Sequence, residues 1–306
     1  MDLCQPNSLL NTMNIKPLCN HKSVLGEGPV WDAANNSILW IDIVGSAIHE
    51  LNMKSNAIRS ISTPSMIGSF ALCSDGNILA AMQDGFHFVD RATGAVRPLS
   101  DPEAVLPDNR FNDGKTDPAG RFWAGSMSLS GEKGTGNLYM VNEQLQVKKM
   151  VENVSISNGL CWSLDHRFFY YIDTPTMEVV RFDYDNATGE ISNKKTIIAI
   201  PAKEGYPDGM TIDSEGMLWI AHWEGWQVAR WDPSTGNKID SIHLPVSLVT
   251  SICFGGENMD DMFITSARVG LTDEQLAEEP LAGSSFIISN TGFKGFRFPA
   301  FNLPQA

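Results

Sequence analysis

Short apolar runs broken by polar turns recur along the whole chain, and almost none carries the 3.6-residue spacing of an amphipathic helix. Each run opens on a polar or small residue followed by a glycine. The copies begin at Glu27-Gly28-Pro29-Val30-Trp31, Ile67-Gly68-Ser69-Phe70, Asp113-Gly114-Lys115-Thr116, Asn158-Gly159-Leu160-Cys161-Trp162 and Asp208-Gly209-Met210-Thr211-Ile212. A weaker sixth, Thr250-Ser251-Ile252-Cys253-Phe254, has serine in place of the glycine. A second apolar run follows each, such as Ile38-Leu39-Trp40-Ile41 or Phe169-Tyr170-Tyr171-Ile172. The anchors at 27, 67, 113, 158, 208 and 250 lie 40 to 50 residues apart. That period, filled with short strands, predicts an all-β, six-bladed β-propeller with one four-stranded sheet per blade. Turns of the form Ala92-Thr93-Gly94, Thr188-Gly189 and Thr235-Gly236 fit the same plan. The one helical pattern is a short capped helix over Thr272–Glu279.

A ring avoids an open sheet edge only if one blade takes strands from both ends of the chain. Ile15–Cys19 is expected as the outer strand of the last blade, with Ser284–Ile288 and Phe296–Phe298 supplying the rest. Residues 1–14 then form a flexible tail, and 15–306 form a single propeller domain. Length alone suggests two domains. The unbroken repeat overrides it.

Composition narrows the function. A net charge of −14 argues against nucleic-acid and anionic-membrane partners. With 42% hydrophobic residues, 8 Trp and 15 Phe, the chain has ample material for a core, and no apolar run is long enough to cross a bilayer as a helix. The five cysteines include no CxxC spacing, so Cys73, Cys161 and Cys253 read as small buried hydrophobes rather than disulfide or zinc ligands. The first residues lack a signal-peptide pattern, which points to the cytoplasm.

In a ring of blades, equivalent inner-strand positions converge on one channel mouth. The residue before each anchor glycine gives Glu27, Ile67, Asp113, Asn158, Asp208 and Thr250. Three carboxylates crowded together repel unless a cation neutralises them, so this column reads as a divalent-metal site built from side-chain oxygens. Asp-Gly and Asn-Gly are also ordinary turn signals, as expected at Asp75-Gly76 and Asp84-Gly85. Spacing alone leaves both readings open.

Four segments break the tie: Leu25-Gly26-Glu27-Gly28-Pro29-Val30-Trp31, Asn109-Arg110-Phe111-Asn112-Asp113-Gly114-Lys115, Ser157-Asn158-Gly159-Leu160 and Gly205-Tyr206-Pro207-Asp208-Gly209. In order and spacing they resemble the signature of the senescence marker protein/gluconolactonase family, over roughly residues 22–298. The resemblance implies a six-bladed propeller holding one divalent cation through Glu27, Asn158 and Asp208, with Arg110 and Asn112 contacting substrate. Asp113 is placed behind these ligands or on a water. Oxygen-only ligands favour Ca²⁺, with Mg²⁺, Mn²⁺ or Zn²⁺ also compatible.

The implied activity is metal-dependent hydrolysis of a sugar lactone such as gluconolactone, a small-molecule substrate. The cation polarises the carbonyl, and Asp208, the expected catalytic base, or a metal-bound hydroxide delivers the attack. Some family members carry a Glu that contacts sugar hydroxyls where this chain has Ser130, so the sugar stays open. Two alternatives stand beside the lactonase: a non-catalytic calcium-binding propeller, and a hydrolase of other esters or phosphotriesters. Trp219, His222, Trp223 and Trp226 read first as blade packing, with His222 or Trp223 as candidates for the rim.

Overall fold

The computed structural model describes residues 13–304, so the expected tail over 1–14 lies, apart from Met13 and Asn14, outside the described residues. Six antiparallel four-stranded sheets form the ring. Blade one runs Gly26–Asp32, Ser37–Asp42, Ala47–Asn52, Ile58–Ser62. The inner strands of blades two to five are Ile67–Leu72, Asn109–Thr116, Ser157–Trp162 and Tyr206–Ile212. Blade six runs Val249–Gly255, Asp261–Ser266, Ser284–Ile288 and then Lys16–Lys22 from the other end of the chain. The seam pairs Lys16 with Ile287 and Lys22 with Ser284.

One expectation fails. Phe296–Phe298 is not a strand of blade six, because Lys16–Lys22 already fills its fourth place. The segment instead runs across the end of the channel, with a bridge from Asp213 to Gly295 and another from Cys73 to Phe301. The Thr116 hydroxyl donates to the Pro299 carbonyl at 2.7 Å. Phe298 packs against the cores on both sides of blade four. The capped helix appears as expected over Asp273–Glu278: Thr272 and Gln275 exchange the reciprocal bonds of a capping box.

The core lies between blades, where the flat faces of neighbouring sheets meet. Trp123, Trp162 and Phe169 join blades three and four. Trp219 and Val228 meet Ile252, Met262 and Ile264 between blades five and six. Trp40 is buried, whereas Trp31 is only partly buried and stacks on Phe263. Cys73 and Cys161 are buried free thiols, while Cys253 is half-buried. An aspartate just past the inner strand recurs as a pin. Asp117 accepts from the Trp123 indole and the Arg121 guanidinium, and Asp213 accepts from Trp219 and Arg230 in the same way. These buried charges are paired and hydrogen-bonded, which offsets their desolvation.

The inner strands touch one another all round the ring. That closeness explains the anchor glycines. A Cβ on Gly159 would sit 2.6 Å from the Asp208 carbonyl of the next blade, and one on Gly209 would collide with the Ser251 hydroxyl.

Candidate functional site

All six inner strands lose register at the anchor. The breaks fall between Glu27 and Val30, Ile67 and Ser69, Phe111 and Gly114, Asn158 and Leu160, Pro207 and Met210, and Val249 and Ser251. A β-bulge re-aims a side chain and bends its strand. The anchor Glu-Gly, Asn-Gly and Asp-Gly pairs are therefore bulges inside strands, not turns. Asp75-Gly76 lies in a turn, and Asp84-Gly85 closes a hairpin.

Glu27, Asn158 and Asp208 line one cavity of about 350 Å³, together with Arg110 and Asn112. The same inner strands, beyond the anchor, line a second cavity of about 240 Å³ that holds Asp113 and is walled by Phe296–Ala300. Ile67 and Thr250 line neither. Ile67 is core, and the Thr250 hydroxyl donates to the Gly26 carbonyl at 2.5 Å, tying blade six to blade one.

The charge balance at the centre of the channel is unusual. Glu27, Asp113 and Asp208 are all buried, and Arg110 is the guanidinium beside them. Burial, then the charges of Asp208 and Asp113, hold the Glu27 carboxyl well above its ordinary range. Burial and the neighbouring Asp113 do the same to Asp208. Burial raises Asp113, with Lys115 acting in the opposite sense. Burial brings Arg110 down to about 10, opposed by Glu27 and Asp208, so it stays charged at neutral pH.

Hydrogen bonds fix the donors. Glu27 accepts from the Gly28 N–H at 2.8 Å, and Asp113 from the Gly114 N–H at 2.7 Å. Asn158 donates its amide to Thr174 Oγ1 at 3.1 Å, and that hydroxyl donates to the Pro207 carbonyl at 2.8 Å. This leaves Asn158 Oδ1 buried and without a partner. Arg110 donates from Nη1 to the Phe111 carbonyl and to Asn112 Oδ1, both at 2.8 Å. Asn112 in turn donates to the Ser157 carbonyl of blade four at 2.8 Å. Both side chains are therefore held before any ligand arrives.

Several wall residues escaped the sequence: Leu25, Ile43, Met127, Ile156 and Tyr206 join the rim candidate Trp223 in an apolar wall around the polar floor. Of the aromatic group, Trp223 reaches the cavity, whereas His222 is fully buried and stacks on Trp231. Tyr206 stands in the signature segment next to Pro207-Asp208, a signal that could have marked it. Ser130 is exposed, bonds to Ser128, and is not among the residues lining the cavity. None of the six histidines lines it either, but His21 and His49 gather with Asp42 between blades one and six.

The chain is thus a closed six-bladed propeller with an acidic, oxygen-rich cavity floor in its channel. The model of the SMP-30/gluconolactonase/LRE-like region matches residues 25–268, and the chain belongs to this family. Regucalcin of Oryctolagus cuniculus is 42% identical over 275 residues, covering 88% of this chain and 92% of that protein. Among solved structures, the calcium-binding protein regucalcin from Agrobacterium tumefaciens superposes with a TM-score of 0.91 at 32% identity, over 95% of this chain and 98% of the other. A luciferin-regenerating enzyme superposes with a TM-score of 0.88 at 28% identity, over 96% of this chain and 100% of the other. Among the described residues no helix is long and apolar enough to cross a membrane.

Proposed function

We propose that this chain is a divalent-cation-dependent hydrolase that opens a sugar lactone to its hydroxy acid. The observation that carries the reading is the unpartnered, buried Asn158 Oδ1 beside two buried carboxylates, Glu27 and Asp208, whose charges the Arg110 guanidinium offsets only in part. Such a donor set fits a hard cation, and Glu27, Asn158 and Asp208 would hold it. Ca²⁺ comes first because a relative is described as calcium-binding. When bound, the cation supplies Lewis-acid polarisation of the lactone carbonyl.

The chain's own residues do the rest. Arg110 and Asn112 hold the ring and its oxygens in one orientation. Their value lies in positioning, since both are already fixed by bonds to the backbone. Asp208 takes the proton of the attacking water as its oxygen joins the carbonyl carbon. The ring C–O bond then breaks, and the departing oxygen recovers that proton. Burial raises the Asp208 carboxyl in cation-free protein, and a bound cation would lower it again, keeping Asp208 ionised and able to take the proton. The apolar wall excludes bulk water and presents the Tyr206 and Trp223 rings to the substrate's less polar face.

The test is hydrolysis after EDTA treatment. A panel of aldonolactones is followed by acid release in a weakly buffered indicator, with Asp208→Ala as the reference for spontaneous opening. Turnover restored by one divalent ion, and absent in the variant, supports the lactonase. One observation favours a second reading. The wall is apolar, and Ser130 offers the cavity no carboxylate for sugar hydroxyls. Should calorimetry detect a bound cation while no aldonolactone turns over, the substrate is a less hydroxylated ester, or the protein binds calcium without catalysis.

A further inference from the structure

The seam that closes the ring holds a second cluster of metal-binding side chains. His21 comes from the closing strand Lys16–Lys22 of blade six, while Asp42 and His49 come from Ser37–Asp42 and Ala47–Asn52 of blade one. One ligand atom from each lies within 4.8 Å of the others. The two imidazoles approach to 4.0 Å between ring centroids. Nothing around them uses their Nε2 atoms: both His21 Nε2 and His49 Nε2 are buried and lack any hydrogen-bond partner. Buried imidazole nitrogens are normally satisfied. Here two are orphaned side by side, next to a carboxylate.

The surroundings hold these ligands as a metal site requires. His49 Nδ1 is 2.8 Å from the Ser60 hydroxyl, which fixes the ring and leaves Nε2 as its unpartnered nitrogen. The Asp42 carboxylate accepts from the backbone N–H groups of Val24, Leu25 and Gly45 at 2.8, 3.0 and 2.9 Å. Outer contacts of this kind set ligand orientation in metal sites. His49 is 4% exposed, whereas His21 is only partly covered and leaves a route for entry. A tetrahedral ion with bonds of about 2.0–2.1 Å needs ligand atoms about 3.3 Å apart, within reach of small side-chain rotations.

We propose that His21, Asp42 and His49 bind a late first-row divalent cation, Zn²⁺ foremost, and that this ion clamps blade six to blade one. Two imidazoles and a carboxylate suit Zn²⁺ and leave a fourth position for water. The channel floor, with oxygen donors alone, has the opposite preference. The seam ion acts on closure of the ring rather than on the reaction.

The test keeps the two sites apart. In Asp208→Ala, with the channel site disabled, Zn²⁺ titrated by calorimetry is expected to bind with one-to-one stoichiometry, and Ca²⁺ is expected not to fill that site. Adding His21→Ala lowers Zn²⁺ affinity about 100-fold or more, and His49→Gln does the same. With free Zn²⁺ a hundredfold above Kd, the folding equilibrium shifts about 100-fold toward the native state, and His21→Ala abolishes that shift. Should the double variant fail to fold, His21→Ala alone in Ca²⁺-saturated protein reads the same loss in thermal melts. No Zn²⁺ site in Asp208→Ala, or equal Zn²⁺ binding with and without His21, overturns the proposal. Lactone turnover of Ca²⁺-loaded His21→Ala stays at the wild-type level, so a failed clamp and a failed lactonase give different results.

Discussion

Replacing Asp208 with asparagine should move stability in opposite directions depending on whether a cation is present. Asp208 is buried beside Asp113, and burial, then the charges of both, raise Glu27. In cation-free protein these charges oppose folding. Asp208→Asn keeps the shape and removes one buried charge. We expect a gain of about 2 kcal/mol, the order of the cost of one poorly compensated buried polar group. In a chain of this size that raises Tm by about 4 °C. Cation-loaded wild type behaves differently. At a hundredfold excess over Kd it gains about 2.7 kcal/mol, or about 5 °C, and the variant gains almost none. The sign with pH follows from linkage. Carboxyls whose folded pKa is raised bind more protons in the native than in the unfolded state. Cation-free protein therefore loses stability as pH rises above about 4, and the variant loses less. Thermal melts in EDTA and in Ca²⁺, at pH 5 and 7.5, measure all of this. A fall in Tm of Asp208→Asn in EDTA, or a full Ca²⁺ shift in the variant, would refute the reasoning.

Other expectations are simpler. Asp113→Asn keeps the cation, with Kd within about threefold by calorimetry, because Asp113 lines the adjoining cavity. Arg110→Met lowers kcat/KM about 100-fold, or about 2.7 kcal/mol, while cation affinity holds or improves; unchanged kinetics would remove Arg110 from the site. Gly159→Ala costs about 1–3 kcal/mol in chemical denaturation, since its Cβ would press on the Asp208 carbonyl. His222, buried and lowered to about 4 by burial first and by Lys238 next, makes Ca²⁺-loaded protein lose stability as pH falls from about 6.5 toward 4. His222→Phe flattens that slope, and a melt series across the window checks it.

The blade count was legible because it depends on period, which a sequence displays directly; the period placed Glu27, Asn158 and Asp208 in one column with three other residues, and the four signature segments singled them out. What escaped depends on contacts between repeats. The bulges at the anchors look like turns in one dimension, and only the strand pairing separates Asp208-Gly209 from Asp75-Gly76. Phe296-Arg297-Phe298 alternates as a strand should, yet the place it would fill was taken from the other end of the chain. Met127 and Ile156 reach the cavity where an isolated bridge joins them between blades three and four, which no local pattern records. His21, Asp42 and His49 form no motif, since their strands meet only when the ring closes.

That closure also sets an order of events in time. Lys16 pairs with Ile287, a partner some 270 residues further along. A chain emerging from the ribosome can complete blades one to five in turn, but the strand made first must wait for almost the last one made. Until then the Trp40 face of blade one lacks its cover and Lys16–Lys22 lacks its sheet. The channel floor is likewise unfinished, because the inner strand carrying Glu27 rests on that of blade six. Synthesis can therefore yield five-sixths of the architecture with the channel cavity still incomplete, and its floor is assembled in one step, when the ring closes.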